Sequence, residues 1–357
     1  MKQIKILLVI LTSSLMFFSC DSSKKNAYEI KNGINISHWL SQSNQRGERR
    51  KTYFTRSDVE HIANLGYDHI RIPVDEEQMF TEDGLKEPEA FALLHDALGW
   101  CAEFNLRAVV DLHILRSHHF NEGDKPLFTD KKAQEQFYEC WRKISGEMKQ
   151  YSVDKVAYEP MNEPVADDPE VWNVILNRCV EVIRQLEPER TIIMGSNLWQ
   201  SFNTVKDLRI PENDPNIIIS FHYYNPMFLT HYKASWTYTK DINVPIHYPG
   251  QLIADADMDA AGDYAIEGKK IYNIDVIEND FMQVVEVAKK YNLKIYCGEY
   301  GCIAGAPEDD KIRWYKDLYT LFERHGMARA NWDYKGGFGI IRRGEPVPEL
   351  TNAILGK

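Results

Sequence analysis

Short apolar runs alternate along the chain with longer segments in which apolar residues recur every three or four positions. The runs are typical of buried β-strands, and the periodic segments are typical of helices that cover a sheet with one face. Eight runs fit this description: Gly33 to Ile36, His69 to Val74, Arg107 to Leu112, Val156 to Tyr158, Thr191 to Met194, Ile217 to Phe221, Lys294 to Gly298 and Ala328 to Trp332. Their alternation with helices predicts a parallel sheet covered by helices.

The helices between these runs have recognisable ends. Four residues that tolerate a left-handed backbone stand just before strands and are predicted helix caps: Gly66, Asn105, Asn292 and Gly326. Prolines weaken the fifth and eighth predicted helices, with Pro211 and Pro215 in one segment and Pro346 and Pro348 in the other. We therefore expect six strong helices and two weak ones.

Eight strands with interposed helices in a chain of 357 residues predict an α/β fold, a (β/α)8 TIM barrel that forms a single domain over residues 30–357. A doubly wound open sheet is the alternative, but no glycine-rich phosphate loop follows the first strand. A long loop is predicted after the sixth strand, from Asn225 to about Asn273. Loops of this length are usually functional or mobile.

Part of this long loop imitates a calcium site without completing it. The run Asp255 to Asp259 resembles the start of an EF-hand loop, but Ala260 occupies the glycine position and Ile266 the closing glutamate position. We interpret the run as a solvated acidic loop.

The N-terminal segment has the pattern of an export signal. Lys2 and Lys5 precede an apolar run, and the run ends at Cys20 in a sequence that resembles a bacterial lipoprotein signal. Residues 1–20 are predicted to be this signal, and residues 21–29 a polar tether. An ordinary signal peptide with a chance cysteine is the alternative. The expected location is exported and lipid-anchored through Cys20 in the bacterial cell envelope.

Composition narrows the choice of partners. The formal net charge is -11, which argues against nucleic acid as a partner, because its phosphates bind positively charged surfaces.

The five cysteines after Cys20 fit no zinc spacing. Cys101, Cys140 and Cys179 lie in apolar helical stripes, whereas Cys297 and Cys302 could pair. A monomer is expected.

Polar and aromatic residues with chemical potential stand at the ends of the predicted strands. In a barrel these ends converge on one face, whatever their distance in sequence. The set consists of Arg71, His113, Asn162, Glu163, His222, Tyr224, Glu299 and Trp332. Two carboxylates on one rim suit cleavage of a glycosidic bond, in which one acid donates a proton while the other stays ionised.

The surroundings of the two glutamates predict which one holds the proton. Arg71 near Glu299, together with a hydrogen bond from Tyr224, would keep that carboxylate charged, and its charge would raise the pKa of Glu163. Asn162 is placed to bond a sugar hydroxyl beside the reacting carbon. Trp332 is placed to form the floor of the site, because a pyranose stacks on an indole ring.

The strand-end set resembles glycoside hydrolase family 5, the cellulase family of clan A, over nearly the whole chain after the tether. Gly33-x-Asn35 with Trp39 looks like the opening motif of that family, whereas Glu159-Pro160 is less usual and is expected to bend the strand end slightly. The resemblance implies a retaining mechanism with Glu163 as the acid/base and Glu299 as the nucleophile. His113 and His222 would bond the acid/base and the sugar in the cleaved subsite.

The implied activity is that of an exported endo-β-1,4-glycanase acting on a β-linked polysaccharide or oligosaccharide without a cofactor. A β-mannanase, a xyloglucanase and a mixed-linkage glucanase remain open, because loop aromatics are expected to make the discriminating contacts: Trp39, Trp199, Tyr223 and Trp236. A non-catalytic glycan-binding lipoprotein is the alternative from another class.

Three histidines raise the possibility of a metal-dependent barrel hydrolase. His113, His118 and His119 lie close in sequence, but no carboxylate or cysteine stands at ligand spacing. We predict no metal, and expect His118 and His119 to line a substrate subsite.

Overall fold

The computed structural model describes residues 27–342 and 344–357, and its centre is a closed barrel of eight parallel strands. The strands are β1 (Asn32–Asn35), β2 (His69–Asp75), β3 (Arg107–Ile114), β4 (Val156–Glu159), β5 (Ile192–Gly195), β6 (Ile217–Tyr223), β7 (Lys294–Tyr300) and β8 (Ala328–Asn331). Around the barrel their order is β1-β8-β7-β6-β5-β4-β3-β2. The predicted (β/α)8 barrel is confirmed, and each predicted strand overlaps an observed one.

Several strands extend further toward the rim than predicted. Strand β6 continues to Tyr223 and β7 to Tyr300, so that His222 and Glu299 lie opposite each other within the sheet. The register shifts between Phe221 and His222. Residues expected just after the strands are therefore held by strand pairing, which fixes their backbones more rigidly than a loop would.

Seven outer helices of eight or more residues surround the barrel in this part of the chain. They are α1 (Arg56–Leu65), α2 (Pro88–Glu103), α3 (Lys131–Met148), α4 (Pro169–Leu186), α5 (Ile274–Tyr291), α6 (Glu308–His325) and α7 (Pro348–Leu355). Gly66, Asn105, Asn292 and Gly326 all have positive φ at helix ends, as predicted. The connection from β5 to β6 contains only the four-residue segment Asn197–Gln200 and a 3₁₀ turn (Phe202–Asp207), which agrees with the weak fifth helix. The last helix is better formed than expected, because Pro348 occupies its first turn, where no amide donor is needed.

The long segment after β6 is more ordered than a bland loop. It contains the short helices Met227–Thr230, Met258–Ala261 and Ala265–Gly268, and a two-stranded sheet pairs Gly250–Gln251 with Ile271–Tyr272. Phe228, Leu229, Ile246 and Leu252 are buried beneath it. The acidic run lies on its outside, where Asp255 and Asp259 are exposed, in agreement with the prediction for that run.

The opposite end of the barrel is closed by residues near the start of the described chain. Tyr28 is buried and its hydroxyl donates to the carbonyl of Ala108, so this residue of the predicted tether packs into the barrel. Gly33 has no room for a side chain, because a Cβ there would lie 2.1 Å from the His69 ring. The predicted signal and Cys20 lie outside the described residues.

The cysteines are packing residues. Cys101, Cys140, Cys179, Cys297 and Cys302 are all buried free thiols. Cys297 and Cys302 do not pair, since their sulfurs face the carbonyls of Glu299 and Leu229, respectively. Across residues 27–342 and 344–357, no helix is both long and apolar enough to cross a membrane.

Candidate active site

Arg71 is the electrostatic centre of the barrel's carboxyl end. It is fully buried on β2, and all three of its side-chain nitrogens donate to protein oxygens. Nε donates to Glu159 at 2.7 Å, Nη1 to Asn35 at 2.9 Å and to Glu299 at 2.7 Å, and Nη2 to Asn162 at 2.9 Å. Nη2 also forms an ion pair with Asp111 Oδ2 at 3.0 Å.

The expected substrate-binding role of Arg71 is therefore wrong. Its guanidinium does not line the cleft and instead fixes the side chains around it. A planar guanidinium holds several oxygens in a defined geometry. Arg71 is a positioning residue for Glu299 and Asn162.

Glu163 and Glu299 face each other across a short gap. One oxygen of each carboxylate and a ring nitrogen of His222 all lie within 4.8 Å of one another. His222 Nδ1 is 2.9 Å from Glu163 Oε1 and 3.7 Å from Glu299 Oε2. The Tyr224 hydroxyl donates to Glu299 Oε2 at 2.8 Å. This close approach suits a retaining reaction, whose carboxyl groups are about 5–5.5 Å apart, and leaves no room for the interposed water of an inverting one.

The surroundings of the two glutamates differ, as predicted. The main cause of the raised pKa of Glu163 is burial, whereas the charge of Glu299 was the expected cause. Burial is the first cause that raises the pKa of Glu163 well above its usual range, and the charge of Glu299 adds to it. Burial also raises the pKa of Glu299, but the charge of Arg71 and the hydrogen bond from the Tyr224 hydroxyl oppose that rise. Glu299 pairs with the cation and Glu163 does not, so Glu163 is the more readily protonated of the two.

His113 and Trp332 form one wall beneath this pair. The His113 ring stacks nearly parallel to the Trp332 indole, with centroids 5.6 Å apart. Nδ1 of His113 lies 2.7 Å from Asp111 Oδ2, and burial lowers the pKa of His113 to about 3, which keeps the ring neutral. Both side chains line a cleft of about 920 Å³ together with Glu163 and Glu299. The substrate contacts expected of His113 and Trp332 stay a prediction.

Two polar atoms point into this region without a partner in the described chain. Asn162 uses Oδ1 to accept from Arg71, while its buried Nδ2 has no acceptor. His222 uses Nδ1, while its buried Nε2 has no hydrogen bond. Buried polar groups are rarely left unsatisfied, and both residues line the cleft, so a bound hydroxyl would complete them.

Two of the expected aromatic contacts are core residues instead. Trp39 is buried, its Nε1 donates to the carbonyl of Arg50 at 2.8 Å, and its ring packs on Phe54. Tyr223 is also buried, with its hydroxyl on Asp280 at 2.9 Å. The alternation of side chains along β6 sends Tyr223 to the opposite face from His222, which lines the cleft. The substrate-binding role predicted for Trp39 is therefore wrong, and so is the subsite contact expected of Tyr223.

Trp199 and Trp236 do line the cleft. The Trp199 side chain is 47% exposed, and its Nε1 donates to the carbonyl of Phe120 at 3.2 Å. The Trp236 side chain is 57% exposed and lies near His231 and Phe338. Their contact with substrate stays a prediction.

The two remaining histidines differ in position. His119 lines the cleft and stacks on Phe120, whereas His118 is buried with Nε2 3.2 Å from the carbonyl of Glu163. The subsite role expected of His118 is therefore wrong, because its ring supports the backbone behind the acid. In the described part of the chain, only Glu163, His222 and Glu299 gather closely enough to hold a metal, and these are the reacting groups themselves.

Sequence reasoning missed several supporting residues. Asp111 and Glu159 are fully buried acids that pair with Arg71, and Gln200 is a buried amide that contacts Glu159 and Glu163. The two acids could have been predicted from the alternation of side chains along β3 and β4. Asp111 and Glu159 are paired across these strands, and both point to the inside of the barrel. Gln42 also lines the cleft, and its buried Oε1 has no hydrogen-bond partner among the described residues.

A (β/α)8 barrel with two close and electrostatically unequal carboxylates at the carboxyl end of its strands is the arrangement of a retaining glycoside hydrolase. The family model described as Cellulase (glycosyl hydrolase family 5) matches residues 24–337. The chain therefore belongs to glycosyl hydrolase family 5.

Curated relatives and solved structures agree with this assignment. Endoglucanase C of Acetivibrio thermocellus is 31% identical over 316 residues, which are 85% of this chain and 91% of that protein. Cellodextrinase A of Ruminococcus flavefaciens is 30% identical over 301 residues, 83% of each chain. A solved hyperthermophilic endo-beta-1,4-glucanase in complex with substrate is 26% identical with a TM-score of 0.75, covering 92% of this chain and 97% of that one.

Proposed function

We propose that this protein is a retaining endo-β-1,4-glucanase in which Glu299 is the nucleophile and Glu163 the acid/base. The observation that carries the proposal is the unequal pairing of the two acids around Arg71. Glu299 accepts from Arg71 and from Tyr224, whereas Glu163 has only the neutral His222. The name endoglucanase of one relative supports the endo mode, and the names of both relatives support a glucan substrate.

The first half of the reaction forms a glycosyl-enzyme. The ionised Glu299 attacks the anomeric carbon of the sugar over Trp332, and the bond from that carbon to the glycosidic oxygen breaks as Glu163 protonates the oxygen. The leaving sugar departs as an alcohol. Arg71 keeps Glu299 charged until the new carbon–oxygen bond neutralises it, and Asn162 Nδ2 donates to the hydroxyl beside the reacting carbon.

The second half returns the enzyme to its starting state. Glu163, now ionised, takes a proton from water, and the resulting hydroxide attacks the anomeric carbon and releases Glu299 as a carboxylate. Two displacements on the same carbon leave its configuration unchanged. The short separation of the two carboxylates supports this outcome.

A reducing-sugar assay on a panel of polysaccharides tests the substrate assignment. Wild type and Glu299→Gln would be compared on carboxymethylcellulose, mixed-linkage glucan, xyloglucan and mannan, and we expect wild type alone to cleave carboxymethylcellulose. Preference for another member of the panel would reassign the protein as a mixed-linkage glucanase, xyloglucanase or mannanase. Calorimetric binding of cello-oligosaccharides without turnover would instead favour a glycan-binding lipoprotein.

We also propose that the protein is exported, anchored through lipid on Cys20, and monomeric. The support is the charged start and apolar run before Cys20, in residues outside those described. Radiolabelled palmitate should be incorporated into wild type but not into Cys20→Ala, and the variant should be released from the membrane fraction. Equal labelling of both would contradict the anchor, and size-exclusion chromatography tests the monomer.

A further inference from the structure

The turn after β5 has an unusual backbone. Leu198, Trp199 and Gln200 are three consecutive residues with positive φ, at 53°, 59° and 52°, and none of them is glycine. Non-glycine residues rarely adopt the left-handed region, and a run of three persists only when surrounding contacts hold it. Such strain is concentrated at functional sites, so the contacts of this turn are informative.

Gln200 provides the contacts that hold the turn to the acid. Its side chain is fully buried, Oε1 accepts from the backbone N–H of Glu163 at 3.2 Å, and Nε2 donates to Glu159 Oε1 at 3.0 Å. The carboxamide fits against Gly195, where a Cβ would lie 1.9 Å from Nε2. Glu163 itself also has a positive φ, 44°. The Gln200 carboxamide therefore holds the strained backbone of the residue whose side chain is the proposed proton donor.

The same turn supplies the exposed aromatic ring on this side of the cleft. The backbone N–H of Trp199 donates to the carbonyl of Pro164 at 3.3 Å. The turn is therefore bonded both to Glu163 and to the residue after it. Because an acid/base protonates the leaving oxygen, the sugar that departs lies on the side of Glu163, next to Trp199.

We propose that Gln200 is a positioning residue for general acid catalysis, and that its carboxamide holds the backbone of Glu163 so that the carboxyl proton meets the leaving oxygen. This inference rests on the proposed function and extends it to a residue that never touches substrate. Gln200 also keeps Glu159 in place against Arg71, which ties the acid to the same frame as the nucleophile.

The consequence is a dependence on the leaving group. A sugar alkoxide leaves poorly and needs the proton of Glu163, whereas a dinitrophenolate leaves without protonation. Misplacing Glu163 should therefore slow cleavage of an oligosaccharide much more than cleavage of an activated aryl glycoside. Damage to the nucleophile or to the fold would slow both.

The experiment compares kcat/KM for cellopentaose and for 2,4-dinitrophenyl β-cellobioside in wild type and Gln200→Met, which has a similar shape but cannot accept the N–H. We expect a loss of about 10- to 100-fold on cellopentaose and less than about threefold on the aryl glycoside. Gln78→Met is the matched control, because Gln78 is a buried glutamine bonded to Arg50 and Ser43 away from the cleft. Gln78→Met should change kcat/KM for the two substrates by the same factor.

Each remaining outcome is decisive. Equal loss on both substrates in Gln200→Met would overturn the positioning role while leaving the proposed function intact. Failure of wild type to cleave either substrate would instead overturn the proposed function. If Gln200→Met does not fold, Gln200→Glu carries the test, because one carboxyl oxygen can still accept from Glu163; a smaller but still leaving-group-dependent loss supports the inference, and a uniform loss overturns it.

Discussion

Glu163 and Glu299 have the same side chain, and their roles are separated by which neighbours they have. Glu163→Ala should lose about 10²- to 10⁴-fold in kcat/KM on cello-oligosaccharides, because the leaving oxygen is no longer protonated. Activated aryl glycosides should still form the glycosyl-enzyme. Added azide should then attack this intermediate from the vacated side and yield the β-glycosyl azide, which NMR identifies.

Glu299→Ala is the matched variant for this prediction. It lacks the nucleophile, so azide can only displace the leaving group directly and give the α-glycosyl azide. Obtaining the β product from Glu299→Ala, or the α product from Glu163→Ala, would show that the two roles are exchanged.

The hydroxyl of Tyr224 is expected to influence where the acidic limb of the pH profile of kcat/KM lies. Its hydrogen bond lowers the pKa of Glu299, so Tyr224→Phe should raise that pKa. The nucleophile must be ionised, and activity is lost as pH falls through its pKa. The acidic limb of the kcat/KM profile should therefore move to higher pH in Tyr224→Phe, while the phenyl ring keeps its packing on His231 and Phe338.

Tyr238→Phe provides the control, since this cleft tyrosine bonds Glu267 and not the nucleophile. Its acidic limb should stay where it is in wild type. A limb that is unchanged in Tyr224→Phe would mean that the hydroxyl does not act on Glu299.

At the residue scale, the sequence was informative where chemistry required a particular side chain at a strand end. Glu163, Glu299, His113 and Trp332 could be placed because parallel strands bring their carboxyl ends to one rim. Trp39 and Arg71 were misassigned because sequence shows residue type but not exposure. Both side chains are buried and bond residues distant in sequence, Trp39 to Arg50 and Arg71 to Glu159. Gln200 gave no signal, since its role depends on a strained turn.

At the element scale, the strand order assigns opposite ends of the cleft to different loops. Trp199 follows β5 beside the acid on β4, whereas Gln42 follows β1, next to β8 and Trp332. Trp199→Ala should weaken cellopentaose cleavage by roughly tenfold through KM, because a sugar loses its stacking partner. It should leave 2,4-dinitrophenyl β-cellobioside unaffected, since no sugar lies on the leaving side.

Gln42→Ala tests the other end with the opposite expectation. It should lower kcat/KM for 2,4-dinitrophenyl β-cellobioside relative to the β-glucoside, because only the longer substrate reaches the β1 loop. Gln45→Ala, on the exposed side of the same loop, is the control. Equal effects of Trp199→Ala and Gln42→Ala on all three substrates would contradict this direction of the chain in the cleft.

The elements themselves were largely predictable because period and caps are local signals. The weak fifth helix followed from its prolines, but Pro348 was misjudged, since a proline is harmful inside a helix and harmless in its first turn. The segment from Asn225 to Asn273 could not be resolved from sequence. Its buried residues pack against distant parts of the fold rather than repeating at a fixed period.

At the scale of the whole molecule, the barrel tolerates a group of buried acids because one cation lies among them. Arg71 pairs with Asp111, Glu159 and Glu299, all of them buried. Burial raises the pKa of Asp111 to about 7 even with Arg71 present. Removing the cation leaves these carboxylates to repel one another in a medium of low dielectric constant, where an unpaired charge is costly.

Arg71→Met should therefore be less stable than wild type by about 3–5 kcal/mol at pH 8, measured by urea unfolding. Without Arg71 the folded pKa values of the acids rise further above their unfolded values, so the native state binds more protons and stability falls as pH rises. The deficit should shrink between pH 8 and pH 5 as the acids become neutral. Arg178→Met, which removes an exposed arginine paired with Glu181, should show no such pH dependence. A deficit in Arg71→Met that is constant across this range would mean that lost packing, and not the unbalanced charge, destabilises the barrel.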